Sequence, residues 1–200
     1  MNDRNHEASL KVVRALARKL DDEPEHPFQV CKLALQLFDA TVELHGLGRH
    51  ERPLLEAAAL LHDTGLRYGA QGHHKRSHEI VLAQDLPGFS EDEKAIIACV
   101  ARYHRKSHPQ PDHKTYRDLG RITQGIVRAL AAILRIADGL DRSHAAAAQR
   151  LRVRIANGAV RIGVLQRQPN DLDIWGARRK QALFEEVFNV RVQIERIEDP

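Results

Sequence analysis

The stretch Glu56-Ala57-Ala58-Ala59-Leu60-Leu61-His62-Asp63-Thr64-Gly65 decides how this chain is read. Its Ala/Leu run predicts a buried helix ending in an adjacent His-Asp pair, with Gly65 two residues later able to stop it. Neighbours on a helix point about 100° apart, so a pair seldom faces one target in mid-helix. At a fraying end the two side chains can converge, and imidazole plus carboxylate is a ligand set for a divalent metal. Taken alone, the pair fits a buried histidine beside a helix-terminal aspartate better than a ligand pair. What changes that reading is the number of other His and Asp residues on apolar faces.

Toward the N-terminus, Leu10, Val13, Leu16, Ala17 and Leu20 mark an amphipathic helix over 8–20, broken by Asp21-Asp22-Glu23-Pro24. The next helix is expected from Glu25 to Leu44, its apolar face reading Val30, Leu33, Ala34, Leu37 and Phe38. Four residues before Val30 stands His26, at the head of a core-facing stripe, a costly place for a polar ring without a partner. Pro27 is tolerated there because it falls in the first turn.

Toward the C-terminus, 65–72 is Gly-rich and reads as a loop, after which His73-His74-Lys75-Arg76-Ser77-His78 opens a helix reaching Leu82 to Leu86. Ser90 with Glu93 forms a capping box, and the helix it starts aligns Ile97, Val100 and Ala101 with His104. Residues 107–116 hold two prolines and read as a loop. The most apolar helix runs from Arg121 to about Asp141, with Val127, Leu130, Leu134 and Asp138 on one side. A carboxylate at the end of such a run is expected to be buried and paired, with a metal or with an Arg. Ala145 to Ala148 reads as helix-prone.

From Leu151 the period changes to two. Residues 151–156 and 159–164 around Asn157-Gly158 make a hairpin with a type I′ turn, pairing Ile155 with Val160, Val153 with Ile162 and Leu151 with Val164. A helix over 175–188 and a third strand over 190–197 complete a small ββαβ unit. The fold class is therefore mainly α, a helical bundle over 1–148 followed by a ββαβ subdomain over 149–200 packed on it.

Composition fits: 42% hydrophobic and 29% charged residues describe an ordinary globular protein, and 4% aromatics leave a core of Ala, Leu, Val and Ile. No apolar run of about 18 residues exists to span a membrane. The polar start Met1-Asn2-Asp3-Arg4-Asn5-His6 lacks a signal-peptide core, and Cys31 and Cys99 read as core thiols, so a cytoplasmic location is expected. The net charge of +4 permits an anionic substrate but does not argue for nucleic acid; aromatics for base stacking are few and no RNA-binding motif appears. A homodimer is among the assemblies the sequence permits.

Most of the twelve histidines fall between His62 and His113. His26, His62 with Asp63, His104 and Asp138 each end or begin an apolar stripe, and His73 and His74 open a fifth helix. Each unpaired buried polar group costs roughly 1–3 kcal/mol, and one shared cation would satisfy them together. The residues therefore point to a metal site. Ligation by N and O without Cys suits Mn, Fe, Co, Ni or Zn, as one or two divalent ions. Basic residues gather around it: Lys75, Arg76, Arg102, Arg105, Lys106 and Arg142 are expected to bind substrate phosphates.

His26-(x)35-His62-Asp63-(x)74-Asp138 resembles the pattern of the HD superfamily of metal-dependent phosphohydrolases. Longer stretches are most similar to the C-terminal HD-type domain of the exopolyphosphatase/guanosine-pentaphosphate phosphatase family. They are 26–39 (HPFQVCKLALQLFD), 58–65 (AALLHDTG), 72–77 (GHHKRS), 101–106 (ARYHRK) and 134–143 (LRIADGLDRS). The likeness is close over 20–145 and looser in the tail; Pro27, Arg76 and His78 depart from it. The resemblance implies His26, His62, Asp63 and Asp138 as ligands of a first metal, with His74 and His104 added for a second and Asp63 bridging. Asp63 is expected to be catalytic together with Lys75, Arg102 and Arg105, which flank proposed ligands, with Asp141 and His73 expected behind the ligands. The expected function is a metal-dependent phosphohydrolase cleaving a phosphoester or phosphoanhydride of a small polyphosphorylated substrate, a nucleotide or polyphosphate. The family's N-terminal actin-like domain is not in this sequence, which motivates the alternative: a non-catalytic polyphosphate- or nucleotide-binding regulatory module beside a separately encoded catalytic protein. A purely structural bundle with satisfied core histidines is the third reading.

Overall fold

A computed structural model describes residues 6–21, 23 and 25–198. The expected breakers Asp22 and Pro24, and the start Met1 to Asn5, lie outside the described residues. Helix α1 (Glu7–Leu20) buries Leu10, Val13 and Ala17, the stripe its periodicity predicts. Helix α2 (Glu25–Ala40) buries His26, Val30, Leu33, Ala34, Leu37 and Phe38. It stops four residues short of the expected Leu44: Thr41 leaves helical geometry (φ −120°, ψ 21°), its hydroxyl donating to the Leu37 carbonyl at 2.7 Å. A separate turn, α3 (Val42–His45), follows.

Helix α4 (Arg52–Leu61) carries the His-Asp pair just past its last residue, as expected, and buries every residue from Leu54 onward. A 3-10 turn (Leu66–Tyr68) crosses the following loop, and α5 (His73–Ala83) then starts against the His-Asp turn. Gly65 permits that approach: a Cβ there would lie 2.3 Å from the His73 carbonyl oxygen and 2.8 Å from Ser77 N. Its own N–H donates to Ser77 Oγ at 3.0 Å. Helix α6 (Glu91–Arg102) opens on the expected capping box, and a short α7 (Lys114–Arg117) interrupts the expected loop.

Helix α8 (Arg121–Gly139) is the axis of the body, with every residue from Ala129 to Gly139 buried. Helices α2, α4 and α6 pack on it, and Leu33, Leu55, Ile97, Leu130, Ile133 and Leu134 are sealed from solvent. Cys31 and Cys99 are buried free thiols, each pushed up to about 12 first by burial, so they behave as core side chains. Among the described residues no helix is long and apolar enough to cross a membrane.

The run Ala145 to Ala148 is not helical, a correction to the sequence reading. Ala146 sits at φ 48°, its N–H captured by Asp141 Oδ1 at 2.8 Å, and Ala148 already opens a strand. Strands β1 (Ala148–Ala156) and β2 (Ala159–Gln166) form the expected hairpin, with Ile155↔Val160, Val153↔Ile162 and Leu151↔Val164 paired across Asn157 (φ 51°) and Gly158 (φ 68°). Both turn residues adopt the left-handed region a type I′ turn requires. The single expected helix is two, α9 (Asp171–Lys180) and α10 (Ala182–Phe188), hinged at Gln181. Strand β3 (Arg191–Ile197) then runs parallel to β2, giving the order β1-β2-β3. Both α9 and α10 lie against α8, so the tail reaches the end of the body's central helix.

Candidate functional site

Four imidazoles converge on two carboxylates where α2, α4, α5, α6 and α8 meet. Each ring is fixed through Nδ1: His62 donates to Ala59 O at 2.7 Å, His104 to Ala101 O at 2.7 Å and His73 to Ala70 O at 3.0 Å. His26 Nδ1 lies 2.8 Å from Asp141 Oδ2. A carbonyl can only accept, so in the three rings bonded to carbonyls Nδ1 carries the hydrogen and Nε2 can offer its lone pair inward. Tying the outer nitrogen in this way is how proteins orient metal-binding histidines.

Asp63 divides the cluster in two. Its Oδ2 faces His26 Nε2 (3.7 Å) and His62 Nε2 (3.5 Å), and Asp138 Oδ1 lies 3.5 Å and 3.9 Å from the same two nitrogens. Its Oδ1 faces His73 Nε2 (3.2 Å) and His104 Nε2 (3.4 Å). Donor atoms of His26, His62 and Asp138, and of His62, Asp63 and His104, lie within 4.8 Å of one another. Despite these distances His62 Nε2 and Asp63 Oδ1 are buried with no hydrogen-bond partner. Two imidazole nitrogens, those of His73 and His104, stand 3.3 Å apart. Such an arrangement is satisfied by a cation among the donors, and the N/O set fits a divalent transition ion.

The electrostatics follow from this crowding. Burial alone would raise the Asp63 carboxyl, but the imidazoles of His62, His73 and His104 outweigh it and hold it well below the usual range. Asp138, likewise penalised by burial, is held down by Lys180 first and then by His26. Burial would lower His26; its bonds to Asp138 and Asp141 prevail and raise it to about 10. His104, fully enclosed, is lowered well below its ordinary value by burial.

The structure corrects the sequence reading at several positions. His73, expected behind the ligands, stands in the cluster, while His74 turns away from it. His74 is lowered to about 4, first by burial and then by basic neighbours that include Arg105 and Lys75. The two residues open the same helix about 100° apart, and the seat made by Gly65 decides which one faces Asp63. Lys75 and Arg76 lie exposed on the outer face of α5, Arg76 over the Tyr68 ring at 5.5 Å. Arg102 lies over Tyr103 at 5.7 Å. Among the described residues none of these three lines the cavity that opens onto the cluster. Arg105, Lys106 and Arg142 do line it, Arg105 with Nη1 3.2 Å from His73 Nε2. Asp141, 1% exposed, holds His26 through Nδ1. His108 pairs with Glu186 and His113 with Tyr103, both outside the cavity lining.

That cavity encloses about 630 Å³ and is also bordered by residues the sequence reading missed. Lys180, at the end of α9, ion-pairs with Asp138 Oδ2. Arg135, buried one turn before Asp138, donates to Tyr103 O (2.9 Å) and Lys106 O (3.1 Å), fixing the loop that carries His104 and Arg105. His144 stacks on His26 at 3.9 Å with its Nδ1 2.9 Å from Glu23. Trp175 and Arg179 stand in the wall contributed by α9. An Arg inside the run Leu134-Arg135-Ile136 was a visible signal; nothing local marked Lys180. In all, Arg105, Lys106, Arg135, Arg142, Arg179 and Lys180 line the cavity with Asp63 and Asp138, a surplus of positive charge suited to phosphate oxygens.

Comparison with known proteins agrees in its own terms. Residues 10–170 match the family model described as Ppx/GppA phosphatase, domain III. A guanosine-5'-triphosphate,3'-diphosphate pyrophosphatase of Pseudoalteromonas translucida (strain TAC 125) is 35% identical over 85 residues, 42% of this chain and 16% of that protein. A protein of the same name from Pseudoalteromonas atlantica (strain T6c / ATCC BAA-1087) is 25% identical over 138 residues, 68% of this chain and 27% of its own length. The chain thus matches only a minor part of the length of these relatives. With the family model covering most of the sequence, the chain belongs to the Ppx/GppA phosphatase domain III family.

Proposed function

We propose that this domain is an HD-type, metal-dependent phosphohydrolase that cleaves a phosphoester or phosphoanhydride of a small polyphosphorylated substrate, a nucleotide or polyphosphate. The observation that carries this reading is the inward convergence of four Nδ1-anchored imidazoles on Asp63 and Asp138 beneath a basic cavity. His26, His62, Asp63 and Asp138 would hold one divalent ion, and Asp63, His73 and His104 a second. A bound ion supplies an acidified water and neutralises charge on phosphate oxygens. The chain itself does the rest: Asp141 keeps His26 turned inward, Arg135 fixes the His104 loop, and Arg105, Lys106 and Arg142 receive the substrate's phosphates. The names of the relatives support a nucleotide polyphosphate as the first substrate class to test.

The test is elemental analysis of untagged wild type and Asp63→Ala, followed by a phosphoester and nucleotide screen. Transition metal near one or two ions per chain, lost in the variant together with turnover, is the expected result. No metal in the wild type even after reconstitution would overturn the reading.

A second reading has one observation behind it. Lys180 already neutralises Asp138, as a domain that binds polyphosphate or nucleotides without cleaving them would allow. Tight polyphosphate binding with no hydrolysis under any transition metal would favour that regulatory module.

A further inference from the structure

Trp175 is the only tryptophan of the chain, and it is 51% exposed while lining the same cavity as Asp63 and Asp138. An indole left half in water forgoes burial that its size would reward. The helix that carries it has little freedom. A Cβ at Gly139 would lie 2.5 Å from Ala177 Cα, and one at Gly176 2.6 Å from the Gly139 carbonyl oxygen, so α9 and the end of α8 meet backbone to backbone. Asp173 adds a latch, accepting from Ser143 N at 2.8 Å and Ser143 Oγ at 3.2 Å. The backbone that carries the indole is thereby fixed relative to Asp138, the neighbour of Gly139.

One helical turn on, Arg179 places its guanidinium carbon 5.1 Å from the indole centroid, and the next residue, Lys180, reaches Asp138. From the mouth inward, α9 thus presents a planar aromatic, a planar cation and an ammonium. Phosphates use the last two. An inorganic phosphate chain has nothing planar or apolar to offer the first, whereas a heteroaromatic base does.

We propose that Trp175, with Arg179 beside it, is a stacking platform for the base of a nucleotide whose phosphates point inward to Lys180, Arg105 and Arg142, and that it sets preference for nucleotides over inorganic polyphosphate. This rests on the reading of the cavity as a phosphate site, and the experiment separates the two.

The lone tryptophan makes its own fluorescence the probe. ATP, GTP and inorganic tripolyphosphate are titrated into the full chain and into Trp175→Ala and Trp175→Phe, with affinities from calorimetry and fluorescence followed in the wild type. Both nucleotides should quench the indole and bind roughly tenfold more tightly than tripolyphosphate, the scale of a single base–aromatic stack. Trp175→Ala should erase most of that ratio and Trp175→Phe retain most of it, with melting temperatures alike because the ring is half exposed. Equal wild-type affinity for nucleotide and tripolyphosphate, or a ratio unmoved in Trp175→Ala, overturns the platform and leaves the phosphate site standing. Failure of all three ligands to bind the wild type overturns both.

Discussion

The helical body and the C-terminal unit border one cavity, and they are built for it differently. The body contributes imidazoles whose orientation is fixed by a second bond, His62 to Ala59, His104 to Ala101, His73 to Ala70 and His26 to Asp141, together with a rim of cations, Arg105, Lys106 and Arg142. The tail's contributions are cations and an aromatic, Lys180, Arg179 and Trp175, standing on one helix with long side chains directed at the cavity. Rigid donors suit a small ion with strict distance demands, and long cations suit a substrate of variable shape. The two chemistries meet at one atom pair, Lys180 Nζ on Asp138 Oδ2. The comparison teaches that the buried donors come from the body alone, whereas the cationic wall is shared between body and tail.

Asp138→Asn breaks the meeting point from the body's side and should have the largest effect. It removes a donor to the proposed ion and leaves Lys180 without its buried counter-charge, while His26 keeps Asp141 and Asp63. Removing one partner of a buried ion pair costs about 3–5 kcal/mol, and Lys180 retains some solvent access, so a loss near the lower end is expected in the metal-free protein. Denaturant unfolding and metal analysis of the same preparation check it. Unchanged stability together with full metal content would show that the donors of the body are not a unit.

Asp141→Asn tests the anchoring alone. Its side chain touches no proposed ion; it holds His26 Nδ1 at 2.8 Å and Ala146 N at 2.8 Å. Metal affinity should fall about 10–100-fold, the usual cost of losing such an outer partner, with the helical fold intact by circular dichroism. An affinity equal to wild type would mean that the orientation of His26 does not depend on Asp141.

Gly176→Ala acts on the junction. The added Cβ would meet the Gly139 carbonyl at 2.6 Å and Arg142 Cβ at 2.9 Å, contacts that backbone cannot yield without moving α9 off α8. A destabilisation of about 1–3 kcal/mol is expected by chemical denaturation, with a shift in Trp175 fluorescence as the helix moves. No change in either would show that the tail is not locked to the body.

The same division explains what could be read from the sequence. The hairpin pairs were legible in full because Asn157-Gly158 fixes the loop length and alternation fixes the faces. The His-Asp turn and the polar ends of the apolar stripes were legible because burial leaves a periodic mark. The choice of His73 over His74 was not, since two adjacent histidines differ only in angle and a tertiary contact at Gly65 sets that angle. The end of α2 at Ala40 and the hinge at Gln181 were also hidden: Thr41 leaves helical geometry without a Gly or Pro to mark it, and the Gln181 amide bonds to Glu185 and to the distant Val192 carbonyl. Lys180 was beyond reach altogether. It stands 42 residues from Asp138, on a helix whose sequence looks like an ordinary basic C-terminal turn.

The smallest effect is expected from Lys180→Met, and its sign is what matters. In the structure the ammonium and a proposed ion compete for the same carboxylate, so an ion entering beside Asp138 must displace Lys180 or share the charge with it. Replacing the ammonium by an apolar chain of similar length removes that competition, and divalent metal affinity should rise a few-fold. The same change removes a cation from the cavity wall, so affinity for an anion such as inorganic tripolyphosphate should fall by a similar factor. Calorimetric titration of both ligands into both proteins reads the two numbers. Opposite signs would keep Lys180 among the anion-receiving cations and apart from the groups that hold the ion. A parallel fall in both would place Lys180 among the groups that organise the ion itself, and the line between the two regions would have to be redrawn through α9.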